Sequence, residues 1–211
     1  MNERWQGFLA SRTPIPGFPT SAICDLSHLG LVRARGEEAA KFLQGQLTND
    51  TRLIAPTRAQ LSAWCSPKGR MMASFLCFQY GDDLYLQVAG ERLEPVLKRL
   101  RLYVLRSRVE LSDASGSLAR VGLAGDCATA ILGDHAPGEP FAMLQHGALA
   151  VIRLPGDRPR FEIVGPVAAV VAFWGQAEDR AVRATEDFWS LLDIRASWSS
   201  ELAIPVTIAS G

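Results

Sequence analysis

Between Ala59 and Ala89 the chain sets three β-prone runs around two tight-turn sequences, and this block constrains the fold more than any other feature. The runs are Ala59–Cys65, Arg70–Gln79 and Leu84–Ala89. Ser66-Pro67-Lys68-Gly69 and Gly81-Asp82-Asp83 separate them, and both have the composition of turns. A helical pattern follows at once: Leu93, Val96, Leu97, Leu100 and Val104 recur at three- and four-residue spacing, with Lys98, Arg99 and Arg101 off that face. Pro95 is placed in the first turn of this helix.

The stretch to Thr20, with Pro14, Pro16, Gly17 and Pro19, is expected to be an irregular lead-in. A helix fits Glu37 to Leu47, with Ala39, Phe42, Leu43 and Leu47 on one face. Arg108–Leu111 is a short strand ending at Ser112-Asp113-Ala114-Ser115-Gly116, a natural boundary. A second unit is predicted beyond it, with strands Leu118–Leu123, Leu149–Leu154 and Arg160–Val164. Its helices run from Gly125-Asp126 to Leu132, from Pro166 to Trp174 and from Ala184 to Ile194. Strands and helices mix without regular βα alternation, so the class is α+β. The organisation is residues 1–20 lead-in, 21–113 first subdomain, 117–195 second subdomain and 196–211 tail.

Composition excludes several functions. Lys plus Arg equals Asp plus Glu, 22 against 22, so the whole chain carries no field to draw nucleic acid or an anionic membrane. The longest apolar stretch, Val167 to Trp174, is too short to span a bilayer. No apolar segment follows Met1-Asn2-Glu3-Arg4-Trp5 as it does in a signal peptide, and a cytoplasmic location is expected. Cys24, Cys65, Cys77 and Cys127 are widely spaced, which suggests neither a disulfide framework nor a zinc site. Arg92, Lys98, Arg99, Arg101, Arg106 and Arg108 fall close together, but only Tyr103 offers an aromatic among them. A solvated helix face is the expectation, and direct nucleic-acid binding is not.

Two loops carry the remaining signal. Asn49 and Asp50, in Leu47-Thr48-Asn49-Asp50-Thr51, are first of all groups that satisfy the exposed backbone at a helix exit. Lys68 and Arg70 are first of all parts of a hairpin turn. Yet Phe42-Leu43-Gln44-Gly45-Gln46-Leu47-Thr48-Asn49-Asp50 and Cys65-Ser66-Pro67-Lys68-Gly69-Arg70-Met71-Met72 together resemble the front of the folate-binding proteins related to the glycine-cleavage T-protein (aminomethyltransferase). The YgfZ branch, linked to tRNA modification and iron–sulfur proteins, is the most similar. Lys98 to Val109 and Val121-Gly122-Leu123-Ala124-Gly125-Asp126 extend the likeness, which covers roughly Asp25 to Arg195.

The resemblance implies a T-protein-like fold of two α/β subdomains, with the family's third β-barrel domain expected to be absent. It implies tetrahydrofolate as ligand, with Asn49 and Asp50 lining the channel and Lys68 or Arg70 facing the glutamyl tail. Met71-Met72-Ala73-Ser74-Phe75 holds no carboxylate where T-proteins place an aspartate near the reacting nitrogen. Leu192-Asp193-Ile194-Arg195-Ala196-Ser197 places Arg195 where a pterin-reading glutamate stands in the family, with Asp193 expected to point elsewhere. The branch signature Lys-Gly-Cys-Tyr-x-Gly-Gln-Glu does not occur between Arg195 and Gly211. The implied function is a non-catalytic folate-binding accessory protein supporting iron–sulfur enzymes or tRNA modification. An aminomethyltransferase and a ligand-free remnant of the fold are the alternatives. The apolar run from Leu202 to Ile208 is expected to cover an exposed surface or to make a dimer.

Overall fold

A computed structural model describes residues 2–196 of the chain. Among these, eleven strands form two sheets; five α-helices cover their outer faces, and a sixth packs into the core between them. The hairpin block forms as expected: β3 (Gln60–Cys65), β4 (Met71–Tyr80) and β5 (Asp83–Ala89) are consecutive antiparallel neighbours. Gly69 closes the first turn at φ +76, a conformation that costs glycine little. With β2 (Leu29–Arg35) and β6 (Glu110–Asp113) these strands make a five-stranded sheet in the order β3-β4-β5-β2-β6.

The second sheet has the order β11-β1-β7-β10-β9-β8. Its members are β1 (Ser21–Asp25), β7 (Ala119–Gly125), β8 (Met143–His146), β9 (Leu149–Arg153), β10 (Arg160–Gly165) and β11 (Val182–Arg183). Strands β1 and β2 are consecutive in sequence yet lie in different sheets. The division at residues 113 to 117 is therefore not the division between the sheets, because Ser21–Asp25 pairs with β7 and β11.

The sheets face one another, and the central strands contribute alternately to two cores, as the period of two requires. On β4, Leu76 and Phe78 enter the core between the sheets, while Ala73, Phe75 and Cys77 enter the core beneath the helices. Helices α2 (Ala39–Gln44) and α3 (Gly90–Arg101) cover the outer face of the five-stranded sheet. Helix α3 begins earlier than its apolar spacing suggests, so Pro95 lies in its second turn and not its first. The start is tight: a Cβ at Gly90 would lie 2.3 Å from the His28 carbonyl oxygen.

The six-stranded sheet is covered by α1 (Glu3–Ala10), α4 (Ala128–Leu132) and α5 (Val167–Ala177). Helix α1 corrects the expected irregular lead-in. The prolines begin only at Pro14, and the Asn2 side chain accepts hydrogen bonds from the Arg4 and Trp5 backbone N–H groups, which caps a helix upstream of them. Trp5 is buried against α5, and its indole N–H reaches Asp25 at 2.9 Å. The last helix, α6 (Glu186–Arg195), sends Phe188, Trp189 and Leu192 into the core between the sheets. The expectations for residues 197–211, the covering or dimerising run among them, lie outside the described residues.

Candidate functional site

The two sheets and α6 enclose a small polar centre. Residues four apart on a helix share a face, so Trp189 and Asp193 both look inward from α6. Opposite them stand Ser74 of β4 and Gln87 of β5. The cavity that these four line has a volume of about 10 Å³, room for about one water. Trp189 packs closely on Gly122 of β7, where a Cβ would come within 2.3 Å of the ring. That close approach fixes the position of α6 over the sheet.

Four charged side chains are buried around this cavity. Arg160 of β10 forms an ion pair with Asp193, and its guanidinium stacks 4.6 Å from the Trp189 ring. Glu162, fully buried on the same strand, accepts a hydrogen bond from the Gln87 side-chain amide at 2.9 Å. Arg120 of β7 donates to the Leu29 carbonyl at 2.7 Å. The last two contacts run from one sheet to the other and stitch them together. Among the described residues, Glu162 Oε1, Gln87 Oε1, and Arg120 Nε and Nη1 have no hydrogen-bond partner.

Burial dominates the electrostatics. It pushes the Glu162 carboxyl up to about 7, against the Gln87 hydrogen bond and the attraction of Arg120. It raises Asp193 as well, although Arg160 pulls the other way. It lowers Arg120, which Glu162 only partly offsets. The centre can therefore hold or release a proton at Glu162 near neutral pH.

None of the five residues singled out in the sequence lines this cavity. Asn49 is exposed, and its side-chain amide donates to the Leu61 carbonyl at 2.6 Å while its backbone N–H reaches Ser62 Oγ. Asp50 caps a 3-10 turn through the Arg52 backbone N–H and pairs with the Arg52 guanidinium at 2.7 Å, which holds its carboxyl below the usual range. Both side chains bind the protein itself. Lys68 and Arg70 stand exposed on the β3–β4 turn. Arg195 is exposed at the end of α6. Two positions along a helix are a rotation of about 200°, so an inward Asp193 forces Arg195 outward.

Asp193 thus points away from Arg195 and into the inter-sheet cavity, a placement not read from the sequence. The inward carboxylate of α6 is Asp193, and its spacing from Trp189 was the signal for it. Arg120, Arg160 and Glu162 were missed too, although each interrupts an otherwise apolar strand.

The chain belongs to the family of the GCVT N-terminal domain, whose model matches residues 19–152. Within that family it is 30% identical to the tRNA-modifying protein YgfZ of Hamiltonella defensa over 177 residues, 82% of this chain and 52% of that protein. It is 29% identical to the aminomethyltransferase of Bacillus subtilis over 136 residues, 62% of this chain and 37% of that one. Its fold matches the glycine cleavage system aminomethyltransferase T of Bartonella henselae with a TM-score of 0.70 at 16% identity, covering 89% of this chain and 52% of the other. The two-sheet architecture is therefore the T-protein-like fold. The chain spans about half the length of the curated YgfZ relatives that it matches.

Proposed function

We propose that this chain acts as a non-catalytic accessory protein of the YgfZ type, supporting tRNA-modifying or iron–sulfur enzymes in the cytoplasm. The observation that carries the reading is on β4. Ala73 turns into the core beneath α2 and α3, and Ser74 faces the cavity, so this strand presents no carboxylate to a folate. Neither side chain can serve as the acid–base group of a methylene transfer. Similarity to several YgfZ proteins over more than four-fifths of the chain supports the same reading. No helix among the described residues is long and apolar enough to cross a membrane.

Tetrahydrofolate is the ligand that the family implies, but the residues do not fit it well. A bicyclic pterin does not enter a cavity of about 10 Å³, and Asn49 and Asp50 are engaged by the protein itself. Folate therefore enters the proposal only as a weak ligand outside the cavity, its glutamyl carboxylates facing the exposed Lys68 or Arg70. One observation favours the second reading, an aminomethyltransferase: Asp193 does put a carboxylate beside Ser74. Arg160 already claims that carboxylate.

Two measurements separate the readings. Incubation with an aminomethyl-lipoyl carrier protein and tetrahydrofolate is expected to release no ammonia above a control without the chain; release would establish the transferase. Calorimetric titration with tetrahydrofolate is expected to give weak binding, and no heat at all would leave the ligand-free remnant as the answer.

A further inference from the structure

The outer face of the five-stranded sheet carries a groove separate from the inter-sheet cavity. It measures about 240 Å³ and runs between the end of α2, the β3–β4 turn and the end of α3. Trp64 and Tyr103 meet edge to face inside it, with ring centroids 6.5 Å apart. The Arg99 guanidinium lies 5.8 Å from the Trp64 ring. Tyr103 also walls a shallower hollow, shared with Leu105 and Arg106.

The segment that follows α3 is unusual in two respects. Leu102 is 70% exposed and Leu105 89%, on either side of a Tyr103 that is 43% exposed. Leu105 is also held at φ +43, a region that side chains larger than glycine and asparagine seldom occupy. A strained backbone that presents apolar side chains to water marks a contact surface more than a solvated turn. The charges left unpaired around it are cations. Lys98, Arg99 and Arg106 are exposed and make no ion pair among the described residues. Glu38, the acid at the hollow's edge, is engaged by Lys41 and by the Arg108 backbone N–H.

We propose that this patch docks an acidic, amphipathic segment of another protein. Its apolar side chains would seat on Tyr103 and Leu105, and its carboxylates would face Arg99 and Arg106. Charge complementarity selects this occupant. A second copy in a two-fold contact would set these cations against themselves. An RNA strand needs open aromatic faces for its bases, whereas Trp64 is only 6% exposed and the most exposed side chains here are leucines.

The test is selection of displayed 16-residue random peptides on the immobilised full chain, followed by fluorescence anisotropy of the enriched sequences. Enriched peptides are expected to be acidic, with Leu, Phe or Trp at helical spacing, and to bind more weakly as salt rises. Leu105→Glu, and Arg99→Glu with Arg106→Glu, are expected to lower affinity at least tenfold. Leu105→Gly is expected to lower it while raising the melting temperature, which separates lost docking from lost folding. The proposal is overturned if nothing is enriched, if the peptides show no acidic excess, or if the variants bind them equally. It is also overturned if oligouridylate binds this patch more tightly than any peptide, or if the chain forms a dimer that Leu105→Glu dissolves.

Discussion

Replacing Glu162 by glutamine isolates the proton at the inter-sheet centre. The carboxyl is fully buried and its pKa is raised from 4.5 to about 7. Because the folded value lies above the unfolded one, the native state keeps a proton between them that the unfolded chain gives up. Stability from this group is therefore complete below about pH 4.5 and falls as pH rises through 7. A shift of this size at about 1.4 kcal/mol per unit amounts to about 3 kcal/mol. The introduced glutamine retains a carbonyl to accept the Gln87 amide but cannot ionise. The variant should come closest to the wild type near pH 4.5, pull ahead as pH rises toward 7, and exceed it by about 3 kcal/mol near pH 8. Urea denaturation of both proteins from pH 4.5 to 8 measures the difference. His28 titrates in both proteins and does not feel Glu162, so subtracting the curves removes it. A difference independent of pH would refute the reasoning, since Glu162 would then be ionised throughout or would not be the group that titrates.

Gly122→Ala should cost roughly 1–3 kcal/mol, because the added methyl meets the buried Trp189 ring and must displace it; thermal melting reads this. Asp193→Ala should cost more, roughly 3–5 kcal/mol, since it leaves the Arg160 charge buried without its partner; a change below about 1 kcal/mol would show that water reaches Arg160. Asn49→Ala should lower stability by about 1 kcal/mol through its lost bond to Leu61; lower folate affinity with unchanged stability would instead make Asn49 a ligand contact. Arg195→Glu should change neither melting temperature nor tetrahydrofolate affinity, because α6 turns the residue outward; a titration that tightened tenfold would place it at a pterin.

The order and type of most elements were legible in the sequence, because they follow from local chemistry. Turn residues flank β3, β4 and β5, and three-to-four spacing marks α3; neither signal needs a distant partner. The loops around Asn49 and Lys68 likewise served the backbone as their composition suggested, and the family was recognisable from short ordered segments. Helix α1 was obscured because nearby prolines set the reading of the whole lead-in, although its cap lies upstream of them. Tertiary structure alone decided which sheet each strand joins. Ser21–Asp25 and Leu29–Arg35 look alike as sequences, and only pairing with β7 and β11 carries the first away from the second. It also decided the candidate site. Arg120, Arg160, Glu162 and Asp193 are scattered over 74 positions, and apart from the two-residue spacing of Arg160 and Glu162 on β10 no local pattern relates them. They meet because the two sheets bury their inner faces against each other, and burial, not the residues' own chemistry, moves the Glu162 proton toward neutral pH.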